Sequence, residues 1–286
     1  MILITGHQGF IGTKLCQELR KRKISYFGYD LKTGDDIRDK YQLAEVFNRN
    51  QITKVIHLAA LAGVRMSKNY PKDYIDTNIL GTQNIADLCK EYKVENLIFY
   101  SSSSVFGNSV KLPAEDDAPK NPISLYGITK LAGEYIVQNS GIKNIIVRPF
   151  TVYGENGRKD EVVYKWIEQI KAGKPITIYG DDRSCRGYVY LDDLVEATIK
   201  LLDYKESTAL NLGGSEIVYL KDLLDIFKAN MPSNRKFEID YLDRPEEDVY
   251  QQFANTAKAK EEIGFDPEPK FKKNVKRIIY KEFLDF

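Results

Sequence analysis

Through residue 150 the chain alternates short apolar runs with amphipathic segments, and no other feature narrows the fold as much. Apolar runs at 2–5, 25–29, 54–58, 96–101 and 144–147 alternate with helical periodicity at about 10–22, 41–49, 72–93 and 124–140. Strands without polar alternation belong in a sheet covered on both faces, and strand–helix alternation joins parallel strands by helical crossovers. Residues 1–150 are therefore expected to form a doubly wound parallel sheet of the α/β class. After Pro149 the rhythm breaks. A helix near 160–172 precedes "KPITIYGDDRSCRGYVY", which reads as strand, loop and short strand. An amphipathic helix "LDDLVEATIKLLDY", the short run "ALNLGG" and a helix "YLKDLLDIFKAN" follow. Residues 151–286 are expected to form mainly a smaller α/β domain over the carboxyl edge of the sheet, with chain crossings back to it.

The first strand runs directly into Gly6-His7-Gln8-Gly9-Phe10-Ile11-Gly12 and then a helix. A glycine-rich turn at a strand–helix junction brings backbone N–H groups and the positive end of a helix dipole against a pyrophosphate. The spacing is G-x-x-G-x-x-G, at the first βα junction of a Rossmann-type sheet. Asp30 ends the second strand, 18 residues beyond Gly12. An acid there either takes adenosine ribose hydroxyls or is a solvated strand end; as a ribose partner it repels a 2′-phosphate and favours NAD over NADP. Asp36 and Ile37 are candidates for the adenine ring. Leu58, Ala59 and Ala60 end the third strand with small residues, which lets a cofactor lie close to the backbone.

"SLYGITK" sets Tyr126 and Lys130 four apart on a helix, on one face. An ammonium beside a phenol is expected to lower its pKa, giving a general base for a sugar hydroxyl as hydride leaves its carbon.

Bulk composition restricts the partner. Lys plus Arg number 42 and Asp plus Glu 41, a net charge of +1 with no like-charge block, which argues against nucleic acid or membrane surfaces. Cys16, Cys89 and Cys185 are scattered, and His7 and His57 stand alone, so neither a disulfide framework nor a metal site is expected. No apolar run approaches the ~20 residues of a membrane span, and "MILITG" lacks a signal-peptide pattern; a cytoplasmic protein is expected.

The glycine turn, terminal Asp, serine-bearing fourth strand and Tyr-x-x-x-Lys, in this order, resemble the extended short-chain dehydrogenase/reductase family. Within it the chain resembles the nucleotide-sugar epimerases and dehydratases, through "HLAA", "DTNILGTQNIADLC", "YSSSSVFG", "SLYGITKLAGE", "VRPFTVYG", "YVYLDDLVEA", "NLGG" and "DRPEEDVYQQFANTAKAKEEIGF". The resemblance implies bound NAD, with Asn78 and Pro149 among its contacts, and a nucleoside diphosphate held by the C-terminal domain. It also implies that Ser102, five residues before Gly107, hydrogen-bonds the reacting sugar oxygen beside Tyr126 and Lys130.

Related dehydratases carry Asp and Glu at the two positions after that serine. This chain has Ser103 and Ser104, which cannot perform that acid/base step, so the resemblance points to 4-epimerisation of a UDP-sugar. The motifs are most similar to UDP-glucuronate 4-epimerases, with Ser103, Ser104, Thr151 and Arg158 as candidate sugar contacts. UDP-glucose/galactose or its N-acetyl counterpart is the alternative substrate, and a reductase with exchangeable cofactor or a non-catalytic NAD sensor the alternative activity. Arg186 and Arg244 match the family's phosphate-region arginines. Gly187 replaces the usual Asp, and 244–248 holds one extra residue. The family implies a homodimer through the helices near 72–93 and 124–140.

Overall fold

Six parallel strands in the order β2-β1-β3-β4-β5-β9 make the main sheet of the computed structural model, which describes residues 1–108, 111–232 and 235–283. The chain runs through β1 (Ile2–Thr5), α1 (Phe10–Lys21), β2 (Tyr26–Tyr29), α2 (Lys40–Arg49) and β3 (Lys54–His57). Short helices α3 (Val64–Asn69) and α4 (Pro71–Ile75) lead to α5 (Gly81–Glu91), β4 (Asn96–Tyr100), α6 (Leu125–Gln138) and β5 (Asn144–Pro149). The single helix expected at 72–93 is instead two, joined by a widened π turn at Asp76–Leu80. Such turns are rare and occur often at functional sites.

Beyond Pro149 come β6 (Thr151–Tyr153), α7 (Val162–Lys171), β7 (Ile176–Tyr179), β8 (Cys185–Tyr190) and α8 (Leu191–Leu201). Then follow β9 (Thr208–Leu212), β10 (Ile217–Tyr219), α9 (Leu220–Asn230), β11 (Ile239–Leu242), β12 (Gln251–Gln252), α10 (Ala257–Ile263) and α11 (Phe271–Phe283). Strand β8 is central to this half, pairing with β6, β10 and β12. The "ALNLGG" run supplies β9, which returns to the main sheet beside β5.

Apolar runs become strands here because helices cover both faces of the sheet. Leu15, Cys16 and Leu19 of α1 pack with Leu194 and Val195 of α8 on one face. Leu43, Phe47, Ile85, Leu88 and Val137 cover Leu3, Val55, Leu97 and Phe99 on the other. A third core around Trp166, Ile167, Phe227 and Ile279 holds α7, α9 and α11 together. The connection from β1 leads outward to β2 and that from β3 leads the other way to β4, so the two diverge between β1 and β3. A crevice therefore opens beyond Thr5 and His57, where ligands of open α/β sheets bind.

Candidate active site

The glycine turn is packed too tightly for side chains. Gly6 has φ +74°, and a Cβ on it would lie 2.7 Å from the Ala59 nitrogen; one on Gly12 would lie 2.2 Å from the Gly6 carbonyl. Helix α1 starts at Gly9 with no side-chain cap and no acidic residue in its first turn. Its first amides are thus open to an anion. Gly6, Gly9, Phe10, Ile11 and Gly12 form one end of a cavity of ≈ 770 Å³. Leu58, Ala60 and Pro149 lie along it, and Ser102, Tyr126 and Lys130 line it further on. This uncapped helix end and close-packed turn fit the pyrophosphate of a dinucleotide.

The remaining cofactor candidates shape the crevice from behind. Asp30 is buried; its carboxylate accepts N–H bonds from Gln8 (2.9 Å) and Lys32 (3.0 Å), so it braces the glycine turn. Its remaining lone pairs are what a ribose hydroxyl would use. Ala59 donates its amide to Thr5 Oγ1 (3.3 Å). Asp36 is clasped by Arg38, and Ile37 is buried where a Cβ on Gly81 would touch it. Asn78, also buried, ties the loop after β3 to α6 through Leu61 and Thr129. None of Asp30, Asp36, Ile37, Ala59 and Asn78 is part of the cavity wall.

Ser124 caps α6 by accepting the Gly127 amide (3.1 Å). This fixes the turn from which Tyr126 and Lys130 reach the cavity. Tyr74 stacks edge-on against Tyr126 (6.4 Å between centroids, 88°), and Ser67 Oγ accepts the Tyr126 amide (3.1 Å). Lys130 is buried, with Nζ 4.5 Å from the centroid of the Phe99 ring.

Burial dominates the electrostatics of the Tyr126–Lys130 pair. Burial raises the Tyr126 phenol above its ordinary pKa, opposed by the Arg158 guanidinium and a hydrogen bond with Ser102; Lys130 is not among the opposing groups. Burial also pushes the Lys130 ammonium down to about 7, with Glu134 pulling it back up. Desolvation exceeds what one ammonium can do for a neighbouring phenol. The protein alone therefore holds a protonated tyrosine beside an easily deprotonated lysine. A cationic nicotinamide is what would turn Tyr126 into a base at neutral pH.

The four serines after β4 engage Glu134, Tyr126, Gln252 and one another. Ser101 donates to Glu134 Oε1 (2.5 Å) on the buried side. Ser102 faces the Tyr126 phenol, where it counteracts the upward shift, and accepts the Ser104 amide (3.1 Å). Ser103 donates to Gln252 Oε1 (3.0 Å), while Ser104 Oγ accepts from Ser102 (3.1 Å). All four line the cavity.

Thr151, Arg158, Arg186 and Arg244 also line the cavity. Arg158 is paired with Asp160 through Nε (2.9 Å) and Nη2. Arg186 spends its terminal nitrogens on three carbonyls, those of Cys185 (2.8 Å), Tyr250 (3.0 Å) and Val249 (2.7 Å). Arg244 is exposed, stacks on Tyr250 (4.9 Å) and makes no hydrogen bond or ion pair with another described residue. Gly187 stands where the family's Asp is usual; a Cβ there would lie 3.0 Å from Phe253 Cβ.

Sequence reading missed Arg65, Glu161, Lys165 and Gln252, all in the wall. Glu161 faces Arg158, Arg186 and Arg65, yet desolvation still raises its pKa. Arg65 ion-pairs with Asp248 (2.5 Å) and stacks on Tyr179 (3.9 Å), joining the two halves of the chain across the cavity. Gln252 lies within the quoted 243–265 stretch, but no local spacing marks any of the four; the tertiary fold brings them together.

The model of the NAD dependent epimerase/dehydratase family matches residues 2–213. The chain is 32% identical over 306 residues to a UDP-glucuronate 4-epimerase of Thermodesulfobacterium geofontis, covering 97% of this chain and 94% of that one. The UDP-glucuronic acid 4-epimerase of Bacillus cereus, solved with UDP-glucuronic acid and NAD, superposes with a TM-score of 0.87 at 30% identity over 99% of both chains. A UDP-glucose 4-epimerase of Thermotoga maritima, solved with UDP-glucose, gives 0.89 at 26% identity over 97% of both. With its glycine turn, its Tyr126–Lys130 helix and its sheet, the chain belongs to the NAD dependent epimerase/dehydratase family, and its cofactor is NAD.

Proposed function

We propose that the protein interconverts the C4 epimers of a UDP-sugar, with UDP-glucuronate and UDP-galacturonate as the pair. The observation that carries the reading is the meeting of Ser102, Tyr126 and Lys130 on one cavity wall, followed by two neutral hydroxyls, Ser103 and Ser104. When bound, NAD accepts a hydride from C4 and returns it to the other face of the ring. Tyr126 takes the C4 hydroxyl proton as the hydride leaves and gives it back afterwards. The Ser102 hydroxyl donates to the same oxygen and holds it as a carbonyl. Lys130 supplies the positive charge beside them. Neither Ser103 nor Ser104 can act as a dehydratase acid or base, so the keto sugar keeps its C6 substituent.

Support for the uronate comes from the two UDP-glucuronate 4-epimerases above and from the ring of Ser103, Ser104, Thr151 and Arg158 around the sugar end. A UDP-hexose is the second reading, favoured by Asp160, which already occupies two nitrogens of Arg158. Exposed Ile75, Leu80, Ile128 and Tyr135 on the α4–α5 and α6 surface support a homodimer through these helices. No helix among the described residues is long and apolar enough to cross a membrane. Incubating the protein separately with UDP-glucuronate, UDP-glucose and UDP-N-acetylglucosamine, with products identified by NMR, tests the reading. Formation of UDP-galacturonate is expected; conversion of only a neutral sugar overturns the uronate assignment, and no epimer from any of the three overturns the activity.

A further inference from the structure

Behind the reacting groups lies a buried charge cluster that the steps above do not use. Glu134 follows Lys130 by four residues, as Lys130 follows Tyr126, so the three share one face of α6. Glu134 is 1% exposed. Arg148 of β5, also 1% exposed, holds it with a fork: Nε to Oε1 at 2.7 Å and Nη2 to Oε2 at 2.8 Å. Ser101, next in the chain to Ser102, adds a third bond at 2.5 Å. Arg148 also reaches the Asp116 carbonyl (2.8 Å).

Stability is a poor reason to keep such a pair, because well-packed apolar residues of similar volume commonly do as well or better. Lys130 gives a better one. Its ammonium makes no hydrogen bond with another described residue and lies over the Phe99 ring. From β3 it faces His57, whose ring is flanked by Thr5 Oγ1 (2.7 Å) and Thr82 Oγ1 (3.0 Å) and stays neutral. From α6 it faces Tyr126 and Glu134, with Arg148 of β5 behind the latter. Among these groups Glu134 is the one that carries a negative charge at neutral pH.

We propose that Glu134 is a positioning residue that keeps Lys130 protonated at working pH, with Arg148 moderating its charge and Ser101 fixing its carboxylate. The cluster thereby sets the upper pH limit of turnover. Removing the carboxylate leaves Lys130 with no counter-charge and a buried arginine one residue layer away; both changes favour the free amine. This inference rests on Lys130 acting as an ammonium beside Tyr126, and its test does not depend on the identity of the sugar.

The experiment titrates Lys130 itself. The NAD-loaded protein is labelled with ¹³Cε-lysine, the Lys130 signal is assigned by its loss in Lys130→Arg, and its midpoint is followed by NMR. In Glu134→Gln the midpoint is expected to fall by about one pH unit, a tenfold loss of proton affinity. The alkaline limb of the pH–rate profile with the accepted UDP-sugar moves with it. Glu134→Asp restores most of the shift. If Glu134→Gln folds poorly because Arg148 is orphaned, the double variant Glu134→Gln/Arg148→Met removes both charges, and a smaller fall is expected. A variant that retains NAD and its melting temperature but titrates at the wild-type midpoint overturns the proposal. A protein that epimerises none of the UDP-sugars but shows the shifted midpoint overturns the function and leaves the Glu134–Lys130 coupling standing.

Discussion

Asn78 grips Leu61 by both main-chain groups, its Oδ1 accepting the amide at 2.8 Å and its Nδ2 donating to the carbonyl at 3.0 Å. The same Nδ2 reaches Thr129 Oγ1 (3.0 Å), and Thr129 donates to the carbonyl of Tyr126 (2.8 Å). The loop after β3 and the catalytic turn of α6 are thus one bonded unit, joined from the π turn. Asn78→Ala removes three bonds and leaves buried partners unsatisfied. A loss of about 1–3 kcal/mol is expected in denaturant unfolding. NAD retention through gel filtration should fall with it, since Leu58 and Ala60 lie on the loosened loop.

Tyr126→Phe keeps the ring and its edge-on contact with Tyr74 but removes the proton acceptor. Turnover is expected to fall about 10²–10⁴-fold, the usual contribution of a general base. NAD should still co-purify, and unfolding should be little changed. A variant with more than a tenth of wild-type turnover would remove Tyr126 from the base role.

The same site makes stability depend on pH in a defined direction. Lys130 titrates at about 7 in the folded protein, below its ordinary range near 10.4, so between these values the unfolded chain binds the extra proton. Stability therefore rises with pH across this window. Lys130→Met abolishes that dependence. It is expected to raise the melting temperature at pH 6 relative to wild type, with the gap closing toward pH 10. His57 behaves alike at lower pH. Burial lowers it to about 3, so stability falls as pH drops from about 6.5 and the ring resists protonation. His57→Asn should flatten the melting curve between pH 6.5 and 4.

The sheet was legible because helices cover both its faces, which forces its strands to be apolar runs. Its sixth strand was not: Thr208–Leu212 lies outside the strand–helix rhythm and carries a buried Asn211, whose main-chain amide is matched by Asp116 (2.5 Å) nearly a hundred residues away. Tyr126, Lys130 and the glycine turn were legible as local spacings, since each is set by one helix or one turn. Arg158 acting on Tyr126, and Glu161 in the cavity wall, depend on the tertiary approach of the segment before α7 to Tyr126. No periodicity records that approach. The widened turn at Asp76–Leu80 was hidden for another reason: it spans five residues, too few for its change of period to register.

Arg186 and Arg244 match the family's two phosphate-region arginines but stand in different circumstances, and that difference is testable. Arg186 staples the 249–250 segment to β8 through the Val249 and Tyr250 carbonyls. Arg244 has only the Tyr250 ring beneath it and a free face toward the cavity. Arg186→Ala should release the segment that carries Asp248 and so loosen its pairing with Arg65. Greater protease cleavage near 245–250 is expected, together with weaker UDP binding by calorimetry. Arg186→Lys should rescue neither fully, because an ammonium cannot fork to carbonyls on two strands. Arg244→Ala should leave cleavage and melting temperature unchanged and weaken UDP alone, as loss of a charge-assisted phosphate contact worth about 1.5–3 kcal/mol. Equal UDP binding in Arg244→Ala and wild type would leave the diphosphate to other cations of the cavity wall, Arg65, Arg158, Lys159, Lys165 and Arg186.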